Sequence, residues 1–125
     1  MIASLLYLLV LLQIKHWYVD FVNQTMEEVD HKGIYLDWRG MKHSFKQGLG
    51  TTLCIWIIVG WPLIEWAIFL GAIDFIAHYH IDWLKMNINK WRNLSIDKDE
   101  FWMWLGADQL AHQLTYIAIA GLTIL

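Results

Sequence analysis

Polar side chains recur at intervals of four residues inside four otherwise apolar stretches of this chain, and this pattern limits the fold more than any other feature. Positions four apart lie above one another on an α-helix, so each stretch is predicted to be a helix with one polar stripe. The stripes combine histidine with aspartate or glutamine, and they contain His16, Asp20 and Gln24; His43 and Gln47; Asp74, His78 and Asp82; and Asp108 and His112.

The composition favours helices that lie in a lipid bilayer. Hydrophobic residues make up 58% of the 125 residues and charged residues only 17%. A soluble domain of this size would need more polar surface than this chain provides. The single cysteine, Cys54, excludes a disulfide framework, and the net charge of −3 argues against a nucleic-acid-binding protein.

We predict an all-α fold in which residues 1–125 form one membrane-embedded domain, an up-and-down bundle of four helices. The predicted helices cover approximately residues 2–26, 42–60, 63–89 and 98–125. The second helix is expected to end at Gly60-Trp61-Pro62, because proline cannot continue its hydrogen bonds. We expect a solvated connection over residues 27–41, with room for a short amphipathic segment, and a polar connection over 90–98. Asp97 and Glu100 resemble a capping box.

The basic residues predict the orientation of such a bundle. All nine lysines and arginines fall toward the end that carries the two long connections. Short segments rich in lysine and arginine stay in the cytoplasm when a membrane protein is inserted. We therefore expect a multi-pass protein whose basic connections are cytoplasmic and whose two termini lie outside the cytoplasm.

The four stripes are expected to meet at one level of the bundle. They occupy the C-terminal halves of the first and third helices and the N-terminal halves of the second and fourth. Imidazole and carboxylate groups bind zinc, iron and manganese, and helix bundles build dinuclear sites from such residues on facing helices. We predict a site for one or two divalent metal ions, with the candidate ligands His16, Asp20, His43, Asp74, His78, Asp82, Asp108 and His112.

A metal at this position favours hydrolysis of a phosphoester such as a lipid head group. The ion would activate water and polarise the phosphoryl oxygen, while a carboxylate accepts the proton. Asp82 and Asp108 are the candidates for that base. Lys85 lies one turn beyond Asp82 and is the candidate for binding the substrate phosphate.

Three motifs carry a family resemblance: His16-x3-Asp20-Phe21-x2-Gln24, His78-Tyr-His-Ile-Asp82-Trp-Leu-Lys85 and Asp108-Gln109-x2-His112. With these motifs the chain resembles an uncharacterised family of small bacterial and phage membrane proteins, a domain of unknown function of the 3307 type. The resemblance covers nearly the whole chain, implies a bacterial or phage origin and hence an inner-membrane location, and supplies no activity. The pattern would place a second histidine near His43, where Gln47 stands.

A more distant similarity rests on the short His-x3-Asp motif alone. That motif is similar to those of the all-helical phosphoesterases of the zinc phospholipase C type and of putative inner-membrane metal-dependent hydrolases. It favours hydrolysis as the reaction class, but a shared motif does not establish a function.

Two other interpretations use the same residues. In the first, a non-enzymatic membrane protein uses the stripes as interhelical hydrogen bonds or as an ion path, in a small pore or in a phage-encoded inhibitor of a host membrane complex. In the second, the chain is a soluble four-helix protein with a di-metal site. The predicted partner is the lipid bilayer, and a second copy of the chain or a host membrane protein is a further candidate.

Overall fold

The protein is described over all 125 residues by a computed structural model. Its fold consists of five α-helices and no β-strand, so the all-α prediction is confirmed. The elements are, in chain order, α1 (Ile2–Trp17), a π-helical turn (Tyr18–Val22), α2 (Met26–His31), α3 (Trp38–Val59), a 3-10 turn (Trp61–Leu63), α4 (Ile64–Trp91) and α5 (Asp99–Thr123).

The four long helices surround a common interior. Helix α1 packs against α3 and α5, and α4 packs against the same two helices. Helices α3 and α4 are joined by a tight turn at Gly60, whose φ of 76° lies in the left-handed region that favours glycine. The predicted end of the second helix at this turn is confirmed.

The segment between α1 and α3 differs from the sequence-based prediction. A capping box begins α2, because the Thr25 hydroxyl accepts a hydrogen bond from the Glu28 backbone N–H and the Glu28 carboxylate accepts one from the Thr25 N–H. The prediction of a solvated connection was wrong for Glu28 and Lys32, which are 2% and 5% exposed. Helix α2 folds back onto α3, and this contact buries both side chains.

The capping box predicted at Asp97 does not form. Helix α5 begins at Asp99 after Lys98, without a side-chain cap. The Asp97 carboxylate accepts a hydrogen bond from Ser95 instead, and Glu100 pairs with Arg92. Local partners in the connection therefore compete successfully for both carboxylates.

A close contact between α3 and α4 fixes the relative position of these helices. A Cβ atom added to Gly71 would lie 2.0 Å from Thr52 Oγ1 and 2.7 Å from the Gly48 carbonyl oxygen. A Cβ added to Gly48 would lie 2.6 Å from the Gly71 carbonyl oxygen. Only glycine at both positions allows the two backbones to approach this closely.

The interior contains more polar residues than apolar ones. Fifteen buried residues are polar or charged, and eleven are hydrophobic. Near the Gly60 end the interior is apolar, with Leu8, Leu12, Ile55 and Leu70 among its members. Many large apolar side chains point outward, including Ile57, Ile68, Phe69, Leu114 and Ile117.

Two segments are long and apolar enough to cross a membrane, judged by length and composition alone. They are Ile2–Val22 and Trp61–Trp91, with mean hydropathy of 1.5 and 1.3. The predicted four-helix membrane bundle is therefore supported in this respect for two of its four long helices.

Candidate metal centre

Seven of the predicted ligands converge in the polar half of the interior. His16 lies at the end of α1, and Asp20 lies in the π-helical turn that follows. Helix α3 contributes His43, α4 contributes His78 and Asp82, and α5 contributes Asp108 and His112. None of the seven is more than 7% exposed.

A first group of ligand atoms comes from three elements. His43 Nε2 lies 3.0 Å from Asp20 Oδ1 and 3.3 Å from His78 Nε2, and His78 Nε2 lies 3.4 Å from Asp20 Oδ1. Ligands that surround one tetrahedral ion at about 2.0–2.1 Å are separated from each other by roughly 3.3–3.4 Å. The three atoms therefore have the spacing of ligands that share one ion.

A second group contains the remaining carboxylates and His112. His112 Nε2 lies 3.3 Å from Asp82 Oδ1 and 3.6 Å from Asp108 Oδ1. The other oxygen of Asp82, Oδ2, lies 3.4 Å from His78 Nε2 and 3.6 Å from His43 Nε2. Asp82 thus contacts ligands of both groups, as a bridging carboxylate would.

His16 lies beside both groups. Potential ligand atoms of His16, His78 and His112 lie within 4.8 Å of one another. His16 Nε2 is 3.4 Å from Asp20 Oδ2, and the rings of His16 and His112 have centroids 5.0 Å apart. Both ring nitrogens of His16 also have partners outside the two groups, since Nδ1 contacts the Tyr116 hydroxyl and Nε2 contacts Gln109 Oε1.

Several buried polar atoms at the centre accept or donate no hydrogen bond, and these atoms test whether a cation fits. Asp108 Oδ1 accepts none, and the Nδ1 atoms of His43 and His78 have no partner. Buried oxygens without a donor are costly, and a bound cation would satisfy them. Imidazole Nε2 atoms and carboxylate oxygens are also the ligands that zinc, iron and manganese accept.

Lys32 forms the shortest ion pair between a lysine and the two groups. Its Nζ lies 2.7 Å from Asp82 Oδ2, at the edge of the centre. It neutralises one of the three carboxylates Asp20, Asp82 and Asp108. The remaining negative charge is the charge that a divalent cation would balance.

Helix α2 supports the first group from outside. Glu28 Oε2 lies 4.0 Å from His43 Nδ1, and Lys46 Nζ pairs with Glu28 Oε1 at 2.9 Å. Burial raises the pKa of the Glu28 carboxyl, but the Lys46 ammonium and the Thr25 backbone N–H bring that pKa below its ordinary value. The carboxylate is therefore ionised beside a histidine ligand, where its negative charge acts on the ring although it forms no hydrogen bond with Nδ1.

Asp74, the eighth predicted ligand, lies apart from the two groups. Its Oδ2 pairs with Lys15 Nζ at 2.9 Å and accepts a hydrogen bond from the Thr51 hydroxyl at 2.6 Å. Gln47 connects this pair to the centre, because its Oε1 accepts from Lys15 and its Nε2 donates to Asp20 Oδ1 at 2.7 Å. Gln47 thus orients a ligand.

Lys85, the predicted phosphate-binding residue, lies on a groove between α4 and α5. A cavity of about 100 Å³ in this groove is lined by Lys85 and Asp108 among largely apolar neighbours such as Ile81 and Trp104. Lys85 Nζ is 4.0 Å from Asp108 Oδ2. Asp108, one member of the second group, is thus part of the groove wall.

Sequence reasoning missed Lys15, Glu28 and Lys32 as parts of the centre. Lys15 directly precedes His16, and the sequence pattern marks it only as one of the basic residues. The Thr25-x-x-Glu28 spacing is a capping-box signal that could have identified α2. Nothing in the local sequence shows that α2 turns Lys32 inward, since that depends on how α2 packs on α3.

The fold and the site define an all-helical protein with a buried cluster of histidine and aspartate suited to a metal ion. The chain belongs to the family described as "Protein of unknown function (DUF3307)", whose model matches residues 8–125. No curated protein and no solved structure matches the chain.

Proposed function

We propose that this protein is a multi-pass protein of the bacterial inner membrane that binds zinc, iron or manganese between its helices and acts as a metal-dependent hydrolase. Its substrate would be a phosphoester, such as the head group of a lipid. The observation that carries the proposal is the first group of ligand atoms, in which His43, His78 and Asp20 are separated by 3.0–3.4 Å.

The distribution of polarity supports the location in a membrane. The buried residues include more polar than hydrophobic ones, while large apolar side chains cover the outside. Such an arrangement is unfavourable in water but suits a bilayer, where ionisable residues face the interior of the helix bundle. Lysine and arginine lie toward the end that carries α2 and the connection before α5, which supports placing that end in the cytoplasm.

The second group and the adjacent groove support hydrolysis. A divalent ion lowers the pKa of a bound water and polarises a phosphoryl oxygen. Asp82, Asp108 and His112 are three protein ligands, and catalytic sites commonly combine three ligands with one position for water or substrate. Lys85 can bind a phosphate that enters from the groove, while the apolar groove walls contact an acyl chain.

The number of bound ions decides the role of Asp108. With two ions, Asp108 is a ligand of the second. With one ion in the first group, Asp108 is the candidate proton acceptor, because its Oδ1 accepts no other hydrogen bond. Asp82 contacts both groups in either case, so it acts as a ligand.

Metal content of tag-free protein purified in detergent tests the proposal. We expect at least one equivalent of zinc, iron or manganese by mass spectrometry, and its loss in the double variant His43→Gln, His78→Gln. The matched control is His80→Gln, because His80 is exposed and pairs with Tyr35 outside the centre. Substoichiometric metal in well-folded wild-type protein would contradict a metal centre and favour the structural or ion-conducting interpretation.

Hydrolysis is tested separately, on metal-loaded protein with phospholipids in mixed micelles. We expect release of a phosphorylated head group, and a rise in KM of roughly tenfold or more in Lys85→Gln, because one charge-assisted hydrogen bond to the phosphate is lost. Lys90→Gln is the control, since Lys90 is exposed on the same helix. Metal binding without turnover of any phosphoester would contradict the hydrolase proposal and retain the metal centre.

A further inference from the structure

A continuous chain of buried hydrogen bonds ends on His16 and determines which of its ring nitrogens carries the proton. The chain starts at Lys15, whose Nζ lies 2.7 Å from Gln47 Oε1, 2.9 Å from Asp74 Oδ2 and 3.1 Å from the Tyr116 hydroxyl. An ammonium group has three N–H donors and no acceptor. All three donors of Lys15 are therefore used, and one of them is donated to the Tyr116 oxygen.

The Tyr116 hydroxyl must then donate its own proton elsewhere. Its only other hydrogen-bond partner is His16 Nδ1 at 2.8 Å, and Tyr116 is fully buried. If His16 Nδ1 carried a proton, the hydroxyl would receive two hydrogen bonds and its own O–H would lack an acceptor, which is costly in a buried site. Nδ1 of His16 is therefore the acceptor, and the proton of the neutral ring is on Nε2.

The surroundings of His16 Nε2 agree with this tautomer. Nε2 faces two acceptors, Gln109 Oε1 at 3.1 Å and Asp20 Oδ2 at 3.4 Å. The orientation of the Gln109 amide is fixed independently, because its nitrogen donates to Asp108 Oδ2 at 3.0 Å and its oxygen must then face His16. Every donor in this part of the network meets an acceptor.

His43 and His78 differ from His16 at Nδ1, because their Nδ1 atoms have no hydrogen-bond partner. Their Nε2 atoms lie 3.3 Å apart, and each also faces Asp20 Oδ1, at 3.0 Å from His43 and 3.4 Å from His78. No donor fixes the tautomer of these two rings, so a cation that binds at Nε2 would leave the ring proton on Nδ1. Three buried histidines at one level of the molecule are thus prepared for two different roles.

We propose that Lys15 and Tyr116 hold His16 in the Nε2–H tautomer, so that His16 is a positioning residue rather than a metal ligand. Its Nε2–H donates a hydrogen bond to Gln109, which in turn holds Asp108, and lies 3.4 Å from the second oxygen of Asp20, whose first oxygen belongs to the first ligand group. The part of this proposal that concerns ligation rests on the proposed metal centre, whereas the tautomer does not.

Nitrogen-15 NMR of protein labelled at histidine and stripped of metal by a chelator tests the tautomer directly, because protonated and unprotonated ring nitrogens have well-separated chemical shifts. We expect His16 to show a protonated Nε2 and an unprotonated Nδ1. In Tyr116→Phe this pure pattern should be lost, since Nδ1 no longer has a donor. Tyr79→Phe is the control, because the Tyr79 hydroxyl bonds the Leu36 backbone N–H outside this network.

Zinc titration then tests ligation. We expect His16→Gln to keep the full number of zinc equivalents, because a glutamine amide can still donate to Asp20, whereas His43→Gln loses at least one. The proposal is overturned if wild-type His16 carries its proton on Nδ1, or if His16→Gln loses an equivalent and the His16 Nε2 signal shifts on zinc addition. Absence of zinc binding in every protein would refute the metal centre and leave the tautomer result standing.

Discussion

At the scale of single residues, the centre depends on groups that touch the ligands as well as on the ligands. Glu28 is the clearest case, because its ionised carboxylate lies 4.0 Å from His43 Nδ1 and is held by Lys46 and by the N-terminus of α2. At 4.0 Å the carboxylate forms no hydrogen bond with Nδ1, but its negative charge favours a proton on that nitrogen, which leaves Nε2 unprotonated for a cation.

We predict that Glu28→Gln lowers the affinity for zinc by roughly tenfold, the lower end of the effect of such outer partners. The measurement is competition with a chromogenic chelator on detergent-solubilised protein. Glu27→Gln is the matched control, since the Glu27 side chain is 61% exposed and pairs with Arg39. Equal zinc affinities in the two variants would show that Glu28 stabilises α2 without affecting metal binding.

The residues of the centre could be predicted only where a single helix determines them. Four-residue spacing placed His16 with Asp20 and His78 with Asp82 on common faces, and the structure keeps each pair together. The same spacing added Asp74 to the set, although Lys15 on another helix holds it. Periodicity gives the direction of a side chain from its own helix, but not the partner that it meets.

At the scale of elements, the crossing of α3 and α4 sets how His43 faces His78. This crossing depends on Gly48 and Gly71, where an added Cβ would collide with backbone oxygens of the opposite helix. Alanine normally stabilises a helix relative to glycine by up to about 1 kcal/mol, so a loss of stability on such a substitution reports the contact between helices.

We predict that Gly71→Ala destabilises the protein by about 1–3 kcal/mol, the usual cost of overpacking, and weakens metal binding. Gly106→Ala is the control, because a Cβ there would meet no atom within 4 Å, and it should be neutral or stabilising. Thermal unfolding in detergent, followed by circular dichroism, measures both. A Gly71→Ala protein as stable as Gly106→Ala would show that the helices adjust without cost.

Long periodic helices were predictable, whereas their ends were predictable only where glycine and proline mark them, as at Gly60 and Pro62. The core of each long helix agrees with the sequence pattern, but α1 continues through a π-helical turn and ends at Val22 rather than near residue 26, and α3 begins at Trp38 rather than 42. Single π-helical turns are common at functional sites, and this one carries Asp20. In this turn Asp20 contacts His43 and Gln47 on α3, and the local sequence does not encode such contacts with another helix.

At the scale of the whole molecule, the polar interior and apolar outside predict a membrane location, and the distribution of lysine and arginine predicts an orientation. Two single-cysteine variants on a Cys54→Ala background test the orientation. In spheroplasts, Ser4→Cys should react with a membrane-impermeant maleimide, whereas Ser95→Cys should react only after lysis, since both positions are exposed but lie at opposite ends. The reverse pattern would invert the topology, and recovery of the protein in the cytosol would exclude membrane insertion.

The two oxygens of Asp82 face different ligand groups, and this has a thermodynamic consequence. One oxygen of this carboxylate contacts His112, and the other contacts His43 and His78. If the carboxylate moves to bind an ion in one group, the position of its oxygen in the other group changes too. Occupancies of the two groups are therefore linked, and the factor by which one ion changes the affinity for the other must be the same in both directions. Saturation by metal should then deviate from the curve of independent sites, and Asp82→Asn should change the size of this cooperativity.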